Sequence, residues 1–258
     1  MFFVYGWSVT RACAWQACKL AQGIEIVPLL RAVVAVVLLQ SVSAFAAEPV
    51  KHIGIHVQPY YQAAEVPGGA PRVAVGKSFD TLLASTRRED IVAARDAVVA
   101  APGRVTPMTL MVLAIRLYDV GLRDDAVFWF YAAKDRFITL ADVVAIQPSG
   151  LAQVEDAVRS FATLAGPVFN GYAFCDLANQ QALRRKALDW VEGHPYEPIF
   201  MTQLTAKPGD RGEDLKAAIR KLRGDVEKER GYFDDAKNRE SFYAGRKQND
   251  VDTKYCWK

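Results

Sequence analysis

The sequence predicts a mainly α-helical domain with a short β-hairpin or extended element on its N-terminal side. Three observations carry this. Apolar residues recur at three- and four-residue steps from Leu110 to Val226, the period of one helix face. Strict two-residue alternation is confined to a short stretch at 52–57. Between these stretches, Pro, Gly and Ser/Thr/Asp residues fall at helix-length intervals, where starts and stops are expected.

Composition agrees with a packed domain. Of 258 residues, 51% are hydrophobic and 24% charged, which is neither disordered nor fibrous. The 32 basic and 29 acidic residues nearly balance, so a nucleic-acid partner is not expected.

Residues 27–47, VPLLRAVVAVVLLQSVSAFAA, have the layout of a secretory signal peptide. Arg31 supplies the positive flank, Ala32 to Leu39 the apolar run, and Ala44-Phe45-Ala46 the small residues at the cleavage site. Gln40, Ser41 and Ser43 make the run too short for a transmembrane helix. Cleavage is expected after Ala46 or Ala47, giving a periplasmic protein with no stable membrane insertion. The preceding segment is longer than a usual positive region, so Val27 is the expected initiator, and Cys13 and Cys18 would be absent from the mature chain. Removing Arg11, Lys19, Arg31 and Glu25 leaves 29 basic and 28 acidic residues, which gives no steering toward a polyanion. Cys175 and Cys256 remain, and an even pair in an oxidising compartment predicts a disulfide. Such a bridge would contribute about 4 kcal/mol on the loop-entropy account.

In HIGIHV, Ile53, Ile55 and Val57 face one way and His52, Gly54 and His56 the other, as in a half-buried strand. RVAV at 72–75 is its candidate partner across a Pro- and Gly-rich loop. Phe79 to Ala84 reads as a short helix capped by Ser78. Thr86 and Glu89 form a capping box for a helix that stops before Pro102. Thr106-Pro107 opens the next helix, which Gly121 ends. The helix RDDAVFWFYAAKDRF follows at once. Leu151, Val154, Val158, Phe161 and Ala165 mark another helix, and Asp176 caps one that ends at Gly193. The C-terminal stretch from Gly212 to Tyr243 reads as one long charged helix. Its apolar stripe is Leu215, Ile219, Leu222, Val226 and Phe233, and Arg223 and Glu227 sit at i,i+4. The chain therefore divides into an extension and signal (1–47), a β or extended segment (48–78), a helical domain (79–206), and a charged helix and tail (207–258) that packs on that domain.

Within 107–140, Leu110, Leu113, Ala114 and Leu117 share one helix face, Gly121 turns the chain, and Ala126, Phe130 and Ala133 share a face of the second helix. Small Ala114 and Ala126 let the two helices approach closely. This unit resembles one tetratricopeptide (TPR) repeat, with Leu110, Ala114 and Leu117 in place of that repeat's Trp, Gly and Tyr, and Ile138 in place of its closing Pro. ALDWVEGHP at 187–195 looks like a second-helix ending. The resemblance implies a TPR-like helical-repeat domain and protein or peptide binding.

Chemistry-bearing motifs are scarce. VAVGKS resembles the end of a P-loop, but Pro71 stands where that motif needs Gly. On a strand, His52 and His56 lie about 13 Å apart, too far to share a metal ion. His194 is expected to cap a helix C-terminus. Asp124 and Asp125 diverge by about 100° on a helix and suit its N-terminal dipole. HExxH and GxSxG do not occur in the sequence. No catalytic, cofactor or metal residue is assigned. The aromatics singled out for partner contact are Tyr60, Tyr61, Phe128 and Tyr131, whereas Trp129 and Phe130 are expected in the core. The function expected is an exported, non-enzymatic protein that binds another envelope protein or peptide, as an adaptor or an immunity-type protein. The alternative is a cell-wall glycan hydrolase acting through carboxylates.

Overall fold

Local chemistry sets most of the helix boundaries. The computed structural model describes residues 48–67, 69 and 71–257. The expected signal peptide, its expected cleavage site and the expected Val27 start lie outside those residues.

The fold is mainly α. Strands β1 (Tyr61–Gln62) and β2 (Arg72–Val73) form a two-stranded antiparallel ladder, with Tyr61 opposite Val73. The helices among the described residues are α1 (Lys77–Ala84), α2 (Arg88–Ala100), α3 (Pro107–Asp119), α4 (Arg123–Val143), α5 (Ala152–Ala173), α6 (Leu177–Gly193), α7 (Arg211–Asp234), α8 (Ala236–Gln248) and α9 (Val251–Tyr255). Short 3-10 turns at Pro102–Arg104 and Glu197–Phe200 join α2 to α3 and follow α6. The described residues form one compact unit that contains the hairpin, the helical domain and the charged C-terminal helices.

Helix α3 starts where expected: the Thr106 hydroxyl accepts from the Thr109 N–H at 3.0 Å, and Pro107 occupies the first turn. It ends on Gly121 at φ 81°. The Leu122 N–H bonds the Leu117 carbonyl and the Gly121 N–H bonds the Tyr118 carbonyl, a Schellman closure. That tight turn sends α4 back along α3. Helix α4 is the hub of the fold and touches α3, α5, α6 and α7. Its buried residues therefore run around the whole circumference, with Trp129, Phe130, Ala132 and Ala133 all at 2% exposure or less.

Five expectations are corrected. Residues 52–57 are not a strand. Ile53 and Val57 are buried and their alternates exposed, but the Ile53 N–H bonds the Asp119 carboxylate at 2.7 Å rather than a neighbouring chain; alternation reports one-sided burial, which an extended arm satisfies equally. Ser78 does not cap α1, because the helix begins at Lys77 and Ser78 lies inside its first turn; the Asp80 carboxylate accepts the Val75 and Gly76 N–H groups just ahead of it. The capping box at Thr86 and Glu89 is replaced by Ser85, which accepts the Arg87 N–H and donates to Asp90. The long charged helix breaks at Asp235, whose carboxylate caps α8 by accepting the Asn238 N–H. Arg223 does not pair with Glu227; it reaches Asp189 and Glu192 on α6, which ties α7 to the body.

Candidate functional site

The sequence-selected aromatics separate on folding. Tyr61 and Tyr131 are both 4% exposed and offer no surface to a partner. Tyr61 is the buried member of β1, and burial raises its hydroxyl pKa. Tyr131 is enclosed on α4, where its hydroxyl donates to Asn170 and accepts from Gln180. Their positions follow from neighbours that one helix or strand cannot reveal: the other face is covered as well. Tyr60 and Phe128 are half-buried against the core. Phe128 meets Trp129 and Trp190 edge-on, with the Lys186 ammonium 5.4 Å from its ring.

Cys175 and Cys256 are bonded, with Cα atoms 5.5 Å apart. The bridge holds the C-terminal tail against the end of α5. Arg246 lies beneath it, donating to Gly171 O and to the Asp252 carboxylate. Trp257 covers the Arg123 guanidinium at 3.5 Å and accepts its N–H through the backbone carbonyl. The N-terminal arm joins the same corner: the Val50 N–H bonds Lys254 O, and the Tyr118 hydroxyl donates to Val50 O.

Several charges are committed to internal pairs. Asp135, 1% exposed, accepts both arms of the Arg184 fork. Burial raises the Asp135 carboxyl pKa and Arg184 opposes the rise. Asp119 accepts from Ile53 and from Arg116 at 2.7 Å, and burial raises its pKa too. His52 is exposed near Asp119, and His56 packs edge-on to Tyr61. Asp124 accepts from Tyr172 and Asn179, and Asp125 pairs with Arg95. His194 caps α6 as expected, with Nδ1 2.8 Å from Trp190 O.

Arg136 is the exception, a fully buried cation whose partners are all neutral. Its Nη1 donates to Pro102 O and Val105 O at 2.8 Å, and its Nη2 to His194 O at 3.0 Å. Its guanidinium lies 4.5 Å from the Trp190 ring and 5.5 Å from that of Tyr196, within cation–π range. Burial pushes its pKa down to about 10, which leaves it charged at neutral pH. Arg136 thus clamps the 102–104 turn to the end of α6. Over that junction lies a surface cavity of about 400 Å³ lined by Ala101, Pro102, Gly103, Arg104, His194 and Glu197. Arg104 Nε donates to Glu197 Oε2 at 2.7 Å across its mouth. A Cβ at Gly103 would sit 2.3 Å from Glu197 Oε1, so only glycine lets that carboxylate reach the turn. In the 3-10 turn Glu197–Phe200, residues three apart share a side, which brings exposed Phe200 (48%) to the Glu197 side.

A protein of Haemophilus influenzae (strain ATCC 51907 / DSM 11121 / KW20 / Rd), described as an uncharacterized protein, is 36% identical over 215 residues, 83% of each chain. The chain belongs to that protein's family. No family model matches it, and no solved structure matches.

Sequence reasoning missed Arg104, Arg136, Glu197 and Phe200. One signal was readable: Ala132, Ala133 and Leu140, which share the helix face of Arg136 at three- and four-residue steps, are apolar, and on such a face a cation must find internal partners. Nothing local in the sequence links it to Pro102 and His194.

Proposed function

We propose that the protein is an exported, non-enzymatic binding protein of the bacterial envelope, with a periplasmic body that recognises another protein or peptide. The observation that carries the binding reading is the 3-10 turn Glu197–Phe200: its first residue lines the cavity at Arg104, and Phe200 with the following Met201 is exposed at its far end (48% and 39%). Large apolar side chains next to a polar, pre-formed depression match the anchor-and-rim arrangement of recognition surfaces. The Cys175–Cys256 disulfide supports export, because such bonds persist in oxidising compartments. The close-packed α3–α4 hairpin supports the TPR-like reading, a class that binds protein segments.

Affinity capture from periplasmic extract, with wild type and Phe200→Asp/Met201→Asp side by side, tests the binding reading. A partner retained by wild type and lost by the double variant, at equal melting temperature, supports it. Equal capture by both, or none by wild type, rejects it. Mass spectrometry of the exported chain tests the expected cleavage after Ala46 or Ala47.

A further inference from the structure

We infer that the cavity at Arg104 is a carboxylate-binding subsite, taking a peptide chain end or an acidic side chain of the partner. The inference rests on the binding-protein reading for its biological setting, and its chemistry comes from four features. Arg104 uses only Nε, toward Glu197. Its Nη1–Nη2 edge has no protein partner among the described residues, and the side chain is 78% exposed. That edge is the planar fork that receives a carboxylate through two parallel hydrogen bonds. Glu197, seated against Gly103, fixes the direction of the fork.

Local charge selects an anion. Arg104 and Glu197 cancel, while Arg136 lies beneath the wall with only carbonyls as partners. The junction therefore carries one uncompensated positive charge. A buried cation with no counter-ion attracts a nearby anion more strongly than a solvated one does. His194 contributes a directional group. A carbonyl only accepts, so Nδ1, which faces Trp190 O, carries hydrogen. Nε2 has no protein partner among the described residues; in the neutral ring it accepts, so it is left for a backbone N–H of the ligand beside the carboxylate. Because Arg136 holds Pro102, Val105 and His194 by their carbonyls, the wall is fixed before a ligand arrives. About 400 Å³ accommodates one side chain or a chain end.

The test is calorimetric titration of the disulfide-bonded mature protein with three acetylated short peptides. The first ends in a free carboxylate and has no acidic side chain. The second is C-terminally amidated and carries Glu, and the third is its Gln counterpart. Saturable binding of the first assigns a chain end, and of the second an acidic side chain; the third does not bind. Arg104→Gln weakens binding roughly tenfold or more, the scale of a charge-assisted hydrogen bond. Arg104→Lys, a point charge without the fork, fails to restore it. Arg104 is exposed, so an unchanged melting temperature shows that both variants fold. Binding of the Gln peptide equal to that of the acids, unchanged affinity in Arg104→Gln, or no saturable binding of any peptide overturns the subsite. Partner capture that survives Arg104→Gln sinks the subsite and leaves the binding reading standing. Absence of any captured partner sinks that reading, while the titration still decides the subsite.

Discussion

Phe130 on α4 stacks on Phe169 of α5, with ring centroids 4.4 Å apart and 22° between planes. Both rings are at most 1% exposed, and Phe130 belongs to the same buried cluster as Leu113 and Leu117. It therefore joins α4 to α5 inside the common core. Phe130→Ala removes a full ring from a packed interior and is expected to cost ~3–5 kcal/mol. Urea denaturation measures this, and an unchanged midpoint would show that α4 is not the hub.

Asp135 and Arg184 form a desolvated pair between α4 and α6. Removing one member strands the other, so Asp135→Ala is expected to cost ~3–5 kcal/mol. Replacing both with apolar residues, Asp135→Leu with Arg184→Met, removes the stranded charge and is expected to recover most of that loss. A double variant no more stable than Asp135→Ala contradicts this account.

Asp119 gives a pH prediction. Burial raises its folded pKa above the ordinary 3.8, against the opposing Ile53 N–H and Arg116 charge. A carboxyl that holds its proton more tightly folded than unfolded opposes folding when ionised. That opposition is present above the folded pKa and fades as pH falls through it toward 3.8. Asp119→Asn, which keeps an acceptor for Ile53, has no such titration. Wild type should therefore gain stability relative to Asp119→Asn between pH 7 and about 4. A difference that stays constant or reverses across that window refutes it.

The tail corner gives two linked expectations. The disulfide closes a loop of sequence separation 81, so Cys175→Ser/Cys256→Ser should lower unfolding free energy by about 4 kcal/mol. At Gly171, inside α5, alanine would ordinarily add about 1 kcal/mol of helix stability. Here its Cβ would sit 2.5 Å from the Tyr255 ring, so Gly171→Ala should bring no gain and should open the tail. Tryptic cleavage after Lys254 in the native protein reports this, and cleavage no faster than wild type, together with a raised melting temperature, would falsify it.

The helix starts at Thr106 and Asp176 were legible because each cap is decided by atoms three residues apart. The expected starts at Ser78 and Thr86 failed for a related reason. Asp80 and Ser85 satisfy the N–H groups just ahead of the two helices, and the sequence does not rank such neighbours. The disulfide was legible because only two cysteines lie beyond residue 47. Among the aromatics, Phe130 was placed correctly by its position on the helix face, whereas Tyr61 and Tyr131 were not.

The sequence by itself determined the helical class, most element boundaries, the Cys175–Cys256 pairing and the inward-facing side of α3 and α4. These depend on periodicity and short-range hydrogen bonding, which act within a few residues. Only the tertiary structure decided that α4 is covered on every side, which buries Tyr131 and the Asp135–Arg184 pair. It alone brought Arg136 to the carbonyls of Pro102, Val105 and His194, and so built the cavity at Arg104. The physical reason is that a helix's period specifies one buried face, while the number of neighbours, and the carbonyls they bring to a buried cation, depend on how distant segments pack.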